Sequence, residues 1–199
     1  MLDNKDFTYK LCGKDVVVIG GGDTANDCLA TAVRENAKSV LELEITKAPP
    51  LENTLPWPNF PNKKKNDYGV LECNTIYNKD IRRYETTIDE VIKDKDSNIK
   101  SIIIKKVKFE NGKFIDVENT KEEVKCDFLI IAMGFNGTSD EDLSNFGLKA
   151  YNNRVLLDGF KYDDKISVCG DMKNGQSLVV VAISGGIKCA REIIEKYKY

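Results

Sequence analysis

The chain contains no histidine. Imidazole is therefore excluded as acid, base or metal ligand. Its cysteines, Cys12, Cys28, Cys73, Cys126, Cys169 and Cys189, include no C-x-x-C pair, so neither zinc nor iron–sulfur ligand spacing is present. Most lie in apolar stretches and read as buried free thiols of a reducing compartment. No apolar run approaches the roughly 18 residues of a transmembrane helix. The N-terminal MLDNKDFTYK lacks the apolar core of a signal peptide. The expected location is cytoplasmic, with a plastid left open. Neither sign of charge dominates: 30 basic and 32 acidic residues leave a net charge of -2, which gives no reason to expect nucleic acid or a membrane as partner. Proline and tryptophan are scarce, and Pro49, Pro50, Pro56, Pro58, Pro61 and the single Trp57 crowd into one stretch. What remains is 199 residues of ordinary globular composition, enough for one domain or one and a half.

The most informative stretch is KDVVVIGGGDTAND, Lys14 to Asp27. Val16 to Ile19 is a short β-branched run suited to a strand buried on both faces of a parallel sheet. Gly20, Gly21 and Gly22 follow directly, and Asp23, Thr24 and Ala25 open a helical pattern expected to run to about Asn36. Gly20-x-Gly22-x-x-Ala25 fits the dinucleotide fingerprint with alanine at the third position. Such glycines let the backbone approach a pyrophosphate, and free N–H groups at the helix start point at the anion. The alternative is a turn that only packs strand against helix. Ser39 to Ile45 alternates and reads as the second strand of a βαβ unit. A carboxylate about 20 residues beyond the glycines binds the adenosine ribose hydroxyls in such sites. Glu44, nearer the strand tip than Glu42, is the candidate, which favours NADH over NADPH; Lys47 keeps NADPH open, and the plain alternative for both acids is a solvated edge.

Residues 47–83 read as a long irregular excursion holding every proline. Trp57, Phe60 and Tyr68 suggest that it packs onto the body, while Lys63-Lys64-Lys65 reads as a solvated tip. From Tyr84 the pattern predicts an antiparallel meander of three strands, Tyr84–Ile92, Ile99–Phe109 and Lys113–Val117, the last pair joined by Asn111-Gly112. Cys126 to Ile131 is expected to rejoin the parallel sheet beside the first strand, bringing Ala132, Met133 and Gly134 to its carboxyl edge. Short strands at Arg154–Leu157 and Lys165–Cys169 and a helix from about Ser177 to Tyr197 complete the α/β pattern.

Gly170-Asp171 and the loop before the last helix form a second candidate half-site. Asp171 can accept hydrogen bonds from sugar or ribityl hydroxyls. The N–H groups of Gln176, Ser177, Leu178 and Val179 could serve electron-rich flavin atoms. A capping aspartate in a tight turn is the alternative.

The segments GGGDTAND from Gly20, AMGFNG from Ala132 and CGDMKNGQSLVVVAIS from Cys169 resemble the small-subunit region of glutamate synthase. LEITKAPP from Leu43, PWPNFP from Pro56, Asp67-Tyr68-Gly69 and KDIRRYET from Lys79 are similar to its fused, eukaryotic-type form. The resemblance covers almost the whole chain. It implies a pyridine nucleotide–disulfide reductase-like fold: a Rossmann-like NAD(P)H domain over residues 1–135, then the C-terminal segment of a split FAD domain over 136–199. It further implies hydride transfer from NAD(P)H to FAD, with iron–sulfur clusters and FMN in parts this chain lacks, and the rest of the glutamate synthase polypeptide or large subunit as partner. Gly20, Gly22, Asp23, Thr24 and Ala25 would line the NAD(P)H pyrophosphate, closed over by Ala132, Met133 and Gly134. Asp171 would hold FAD, with Gln176 to Val179 near its isoalloxazine. The family's first FAD fingerprint is missing upstream, so the expectation is a fragment that binds nucleotide weakly and does not by itself hold FAD tightly. Two other readings remain: an electron-input module serving another acceptor, and a non-catalytic nucleotide-binding remnant.

Overall fold

The structure is a computed structural model that describes residues 10–57, 62–152 and 154–197. The chain divides into two compact units between Gly134 and Phe135.

The first unit is built on a parallel sheet. β1 (Asp15–Ile19) pairs with β2 (Ser39–Leu43) on one side and β8 (Phe128–Ile131) on the other, and β3 (Arg82–Arg83) extends the β2 edge, giving the order β3-β2-β1-β8. All three ladders are parallel. The β-branched run of β1 is buried on both faces, as its sequence requires. Val16 and Val18 face one core with Leu29, Val40, Val70 and Cys73. Val17 faces the other, with Leu43, Ile102, Ile104 and Cys126. The first core is covered by α1 (Asp23–Arg34) and α2 (Tyr68–Tyr77). The second is covered by an antiparallel sheet of β4 (Thr86–Lys93), β5 (Ile99–Glu110), β6 (Lys113–Asp116) and β7 (Glu122–Lys125).

Four expectations need correction. The antiparallel element has four strands, not three: β7 pairs with β5 from Ser101 to Ile104. Its sequence, EEVK, carries one apolar residue and so shows no alternation to read. Among the described residues the excursion is irregular only as far as Asp67, because α2 and β3 occupy its second half. In α2, Gly69, Val70 and Cys73 are buried while Leu71 and Ile76 are exposed, which blurs the helical stripe. Trp57 is 91% exposed, so it does not anchor the loop; Phe60 lies outside the described residues. The predicted short strands near Arg154 and Lys165 are only isolated bridges, Tyr151 to Arg154 and Lys161 to Ser167. Their backbone bonds go elsewhere: Val155 N–H to Met172 and Val168 N–H to Phe160.

The second unit packs α3 (Asp140–Asn145) and the following loops around Leu143, Leu148, Val155 and Val168. It ends in α4 (Asp171–Asn174) and α5 (Val179–Lys196). No helix among the described residues is long and apolar enough to cross a membrane.

The contact between α1 and α2 is close enough to test. The Gly69 N–H donates to Asn26 Oδ1 at 2.8 Å, and a Cβ on Gly69 would overlap the Asn26 carbonyl oxygen. Gly69→Ala is expected to lower stability by about 2 kcal/mol through overpacking, read as a shifted urea midpoint. An unchanged midpoint would contradict this packing.

Candidate functional site

The carboxyl edge of the parallel sheet gathers the first set of predicted residues. Gly20 closes β1, its N–H bonded to the Leu43 carbonyl at 2.9 Å. At φ +115° it adopts a conformation that side chains rarely take, and a Cβ there would strike the Ala132 carbonyl oxygen. Ala132 is held in place by its N–H, which donates to the Ile19 carbonyl at 2.8 Å. Gly21 lets the Glu44 carboxyl group sit against the backbone: a Cβ there would displace it. Glu44 thus stands directly over the glycine turn.

Gly22 is the N-cap of α1 and offers no side chain to the helix start. The N–H groups of Asp23, Thr24 and Ala25 are among those an α-helix leaves without internal partners. At the end of a 12-residue helix they carry the positive end of its dipole. Met133 is exposed, and Gly134 sits at φ +92°. Donors for an anion and an acceptor for hydroxyls therefore share one edge.

A cleft of about 220 Å³ opens beside this turn. Gly21, Asp23, Asn26, Glu42 and Glu44 line it, as do Lys63 and Lys65 from the excursion, Arg82 of β3 and Tyr84 just after β3. Lys47, the cation considered from sequence, is exposed and not among the lining residues. Lys63 and Lys65 border the cleft and are exposed, as expected of a solvated run, while Lys64 is half-buried and paired with Asp80.

Arg82 organises this wall. Its side chain is 4% exposed. Nε and Nη2 bond both Asp80 carboxylate oxygens at 2.9 and 3.0 Å, Nη1 bonds the Lys65 carbonyl at 2.7 Å, and Nη2 also bonds Asn66 Oδ1 at 2.7 Å. Lys64 Nζ adds a bond to Asp80 at 2.6 Å. These bonds to Arg82 hold the Asp80 carboxyl well below its usual range. Tyr84 lies under both cations, and burial pushes its hydroxyl up to about 12.

The acids behave differently. Burial raises the Glu44 pKa, with Arg82 opposing. Glu42 is 2% exposed, which overturns its reading as a solvated edge charge. Its pKa is raised to about 7, first by burial and then by Glu44, with Arg82 again opposing. Its burial was hidden in the sequence because an acid at an alternating strand position normally marks the wet face.

In the second unit, Gly170 caps α4 at φ +62°, so Asp171 is its first residue and not the cap. The Asp171 side chain is exposed. A Cβ on Gly185 of α5 would lie 3.3 Å from the Gly170 nitrogen, so that helix packs against the Gly170 turn. Gln176 and Ser177 lead into α5, whose N-cap is Leu178, and Leu178 and Val179 are exposed.

The sequence pattern of the pyridine nucleotide-disulphide oxidoreductases matches residues 3–186. The chain belongs to that family. It is 36% identical over 206 residues to the NADH glutamate synthase of Schizosaccharomyces pombe, covering 98% of this chain and 10% of that protein. It is 37% identical to the small chain of the NADPH glutamate synthase of Bacillus subtilis, covering 91% of this chain and 39% of that one. The chain thus spans well under half the length of these relatives. Among solved structures, putidaredoxin reductase bound to putidaredoxin matches with a TM-score of 0.63 at 16% identity, over 93% of this chain and 41% of that one. Mycobacterium tuberculosis FprA in complex with NADPH matches at 0.59 and 12% identity, over 94% and 53%. These two show the same fold.

The raised Glu42 pKa has a consequence for stability. Folded Glu42 keeps a proton that the unfolded chain gives up above its ordinary value of 4.5. Its contribution is therefore present below pH 4.5 and lost as pH climbs towards 7. At about 1.4 kcal/mol per pH unit the loss is on the order of 3 kcal/mol. Urea unfolding of wild type and Glu42→Gln should show the wild type losing ground across this window; parallel curves would contradict the burial of this acid.

Proposed function

We propose that the chain is an electron-input module that takes hydride from a nicotinamide nucleotide, NADH in preference to NADPH, and passes it to FAD within a glutamate synthase-type assembly. The observation that carries this reading is the meeting of the α1 N-terminus with Glu44 over Gly21. The N–H groups of Gly22 to Ala25 bind the pyrophosphate, whose charge the helix dipole favours. Glu44 accepts hydrogen bonds from the adenosine ribose hydroxyls and repels a phosphate placed there. Ala132, Met133 and Gly134 border the nucleotide on the β8 side. Gly20 and Gly21 let the ligand approach the backbone.

When bound, the nicotinamide and flavin supply the redox chemistry themselves, so the protein needs no histidine. In the second unit, Gly170 and Asp171 contact FAD, and Gln176, Ser177, Leu178 and Val179 bring the start of α5 to its ring system. The rest of a glutamate synthase polypeptide, or its large subunit, is the partner that carries iron–sulfur clusters and FMN. The likeness to NADH and NADPH glutamate synthases over more than nine-tenths of the chain supports this assignment over another acceptor.

Calorimetric titration tests the nucleotide half. Wild type should bind NADH more tightly than NADPH. Glu44→Ala should weaken NADH about tenfold or more, the worth of a hydrogen bond to a charged group, and weaken NADPH less. Tighter binding of NADPH by the wild type would rule out Glu44 as the ribose ligand.

A further inference from the structure

The cleft contains a buried acid that this reading leaves without a task. Glu42 lines it beside Gly21, Asp23 and Glu44, yet is almost wholly enclosed. Its Oε2 is the one buried side-chain oxygen or nitrogen without a hydrogen-bond partner among the described residues. A polar atom left so costs free energy, and native proteins rarely keep one without reason. Glu42 stands two residues before Glu44, on the same face of the strand. Its register partner on β3 is Arg82, whose guanidinium is engaged by Asp80, Lys65 and Asn66.

We propose that Glu42 is a specificity-determining residue of the nucleotide cleft: with Glu44 it forms a two-carboxyl wall whose charge decides whether a phosphomonoester on the adenosine 2′ oxygen is admitted. This rests on Glu44 being the ribose ligand. With Glu42 protonated, the wall carries one negative charge, and its proton can be donated into the cleft. With Glu42 ionised, two carboxylates face the ribose and repel the phosphate more strongly.

The surrounding charges keep Glu42 balanced between the two forms. On its own strand, Glu44 opposes ionisation, and on the β3 side Arg82 favours it against Asp80. From the same side Tyr84 presents a neutral phenol, and from α2 Cys73 presents a thiol pushed up to about 12 by burial. Asp23 and Asp67 add negative charge to the cleft, and Lys63 and Lys65 add positive charge. The balance places the change near neutral pH.

The test is a calorimetric pH series from about 6 to 8.5 with NAD+ and NADP+, on wild type, Glu42→Gln and Glu44→Gln. The ratio of the NADP+ to the NAD+ dissociation constant should rise about tenfold with pH in the wild type, as expected for one added like charge. In Glu42→Gln it should stay near the low-pH value. The 2′-phosphate has its own ionisation near pH 6. That change is common to both proteins, so their difference isolates Glu42. A Glu42→Gln ratio that rises as in the wild type overturns the proposal. If Glu44→Gln still loses affinity for NAD+, the ribose assignment stands. No binding of either nucleotide, or unchanged NAD+ binding in Glu44→Gln, overturns the ribose assignment and this proposal together. If Glu42→Gln does not fold, Glu42→Ser takes its place in the same comparison, and a wild-type ratio constant across pH overturns the proposal by itself.

Discussion

Two successive glycines carry the site. At Gly20 the chain passes against the Ala132 carbonyl, which ties the end of β1 to the end of β8. At Gly21 it passes under the Glu44 carboxyl, which ties the start of α1 to the end of β2. A side chain at Gly20 would strike backbone and one at Gly21 would displace the Glu44 carboxyl, and both contacts are with neighbouring strands of one parallel sheet. The turn is therefore not a flexible connection but the point where three strands and a helix start converge. Anion donors and a hydroxyl acceptor share one edge because of that convergence.

The second wall is made by a different device. Among the described residues of 47–67 there is no helix or strand, and Arg82 holds the end of this excursion by bonding the Lys65 carbonyl and Asn66 while sitting in the sheet beside Glu42. One buried guanidinium thus fixes a loop, neutralises part of an acidic cleft and anchors Asp80. A planar fork of donors used in this way suits arginine and not lysine. Lys63 and Lys65 reach the cleft as a consequence.

The parts legible in the sequence were those governed by strong local rules. The run Val16 to Ile19, the glycines and the pattern after Asp23 predicted strand, turn and helix, and all three stand where expected. The return of Cys126 to Ile131 beside β1 was legible because a continuous apolar run has few places to go. What sequence missed was set by tertiary context. β7 is an edge strand made mostly of charge, and α2 shows apolar residues on its wet side. Glu42 is the sharpest case: its identity and its alternation both pointed to solvent, and only the placement of α2 and β3 over it makes it buried. The segments near Arg154 and Lys165 have strand-like composition, but Val155 donates to Met172 of α4 and Val168 to Phe160 instead of to a strand.

A nicotinamide nucleotide across the Gly20–Ala25 turn, with its ribose on Glu44, is the centre of the proposed function. Amide chemical shifts of the 15N-labelled chain, followed during titration with NADH, test this most directly. The account predicts saturable shifts concentrated at Gly21 to Ala25, Glu44 and Ala132 to Gly134. Shifts confined to other parts of the chain, or none at millimolar NADH, would contradict it.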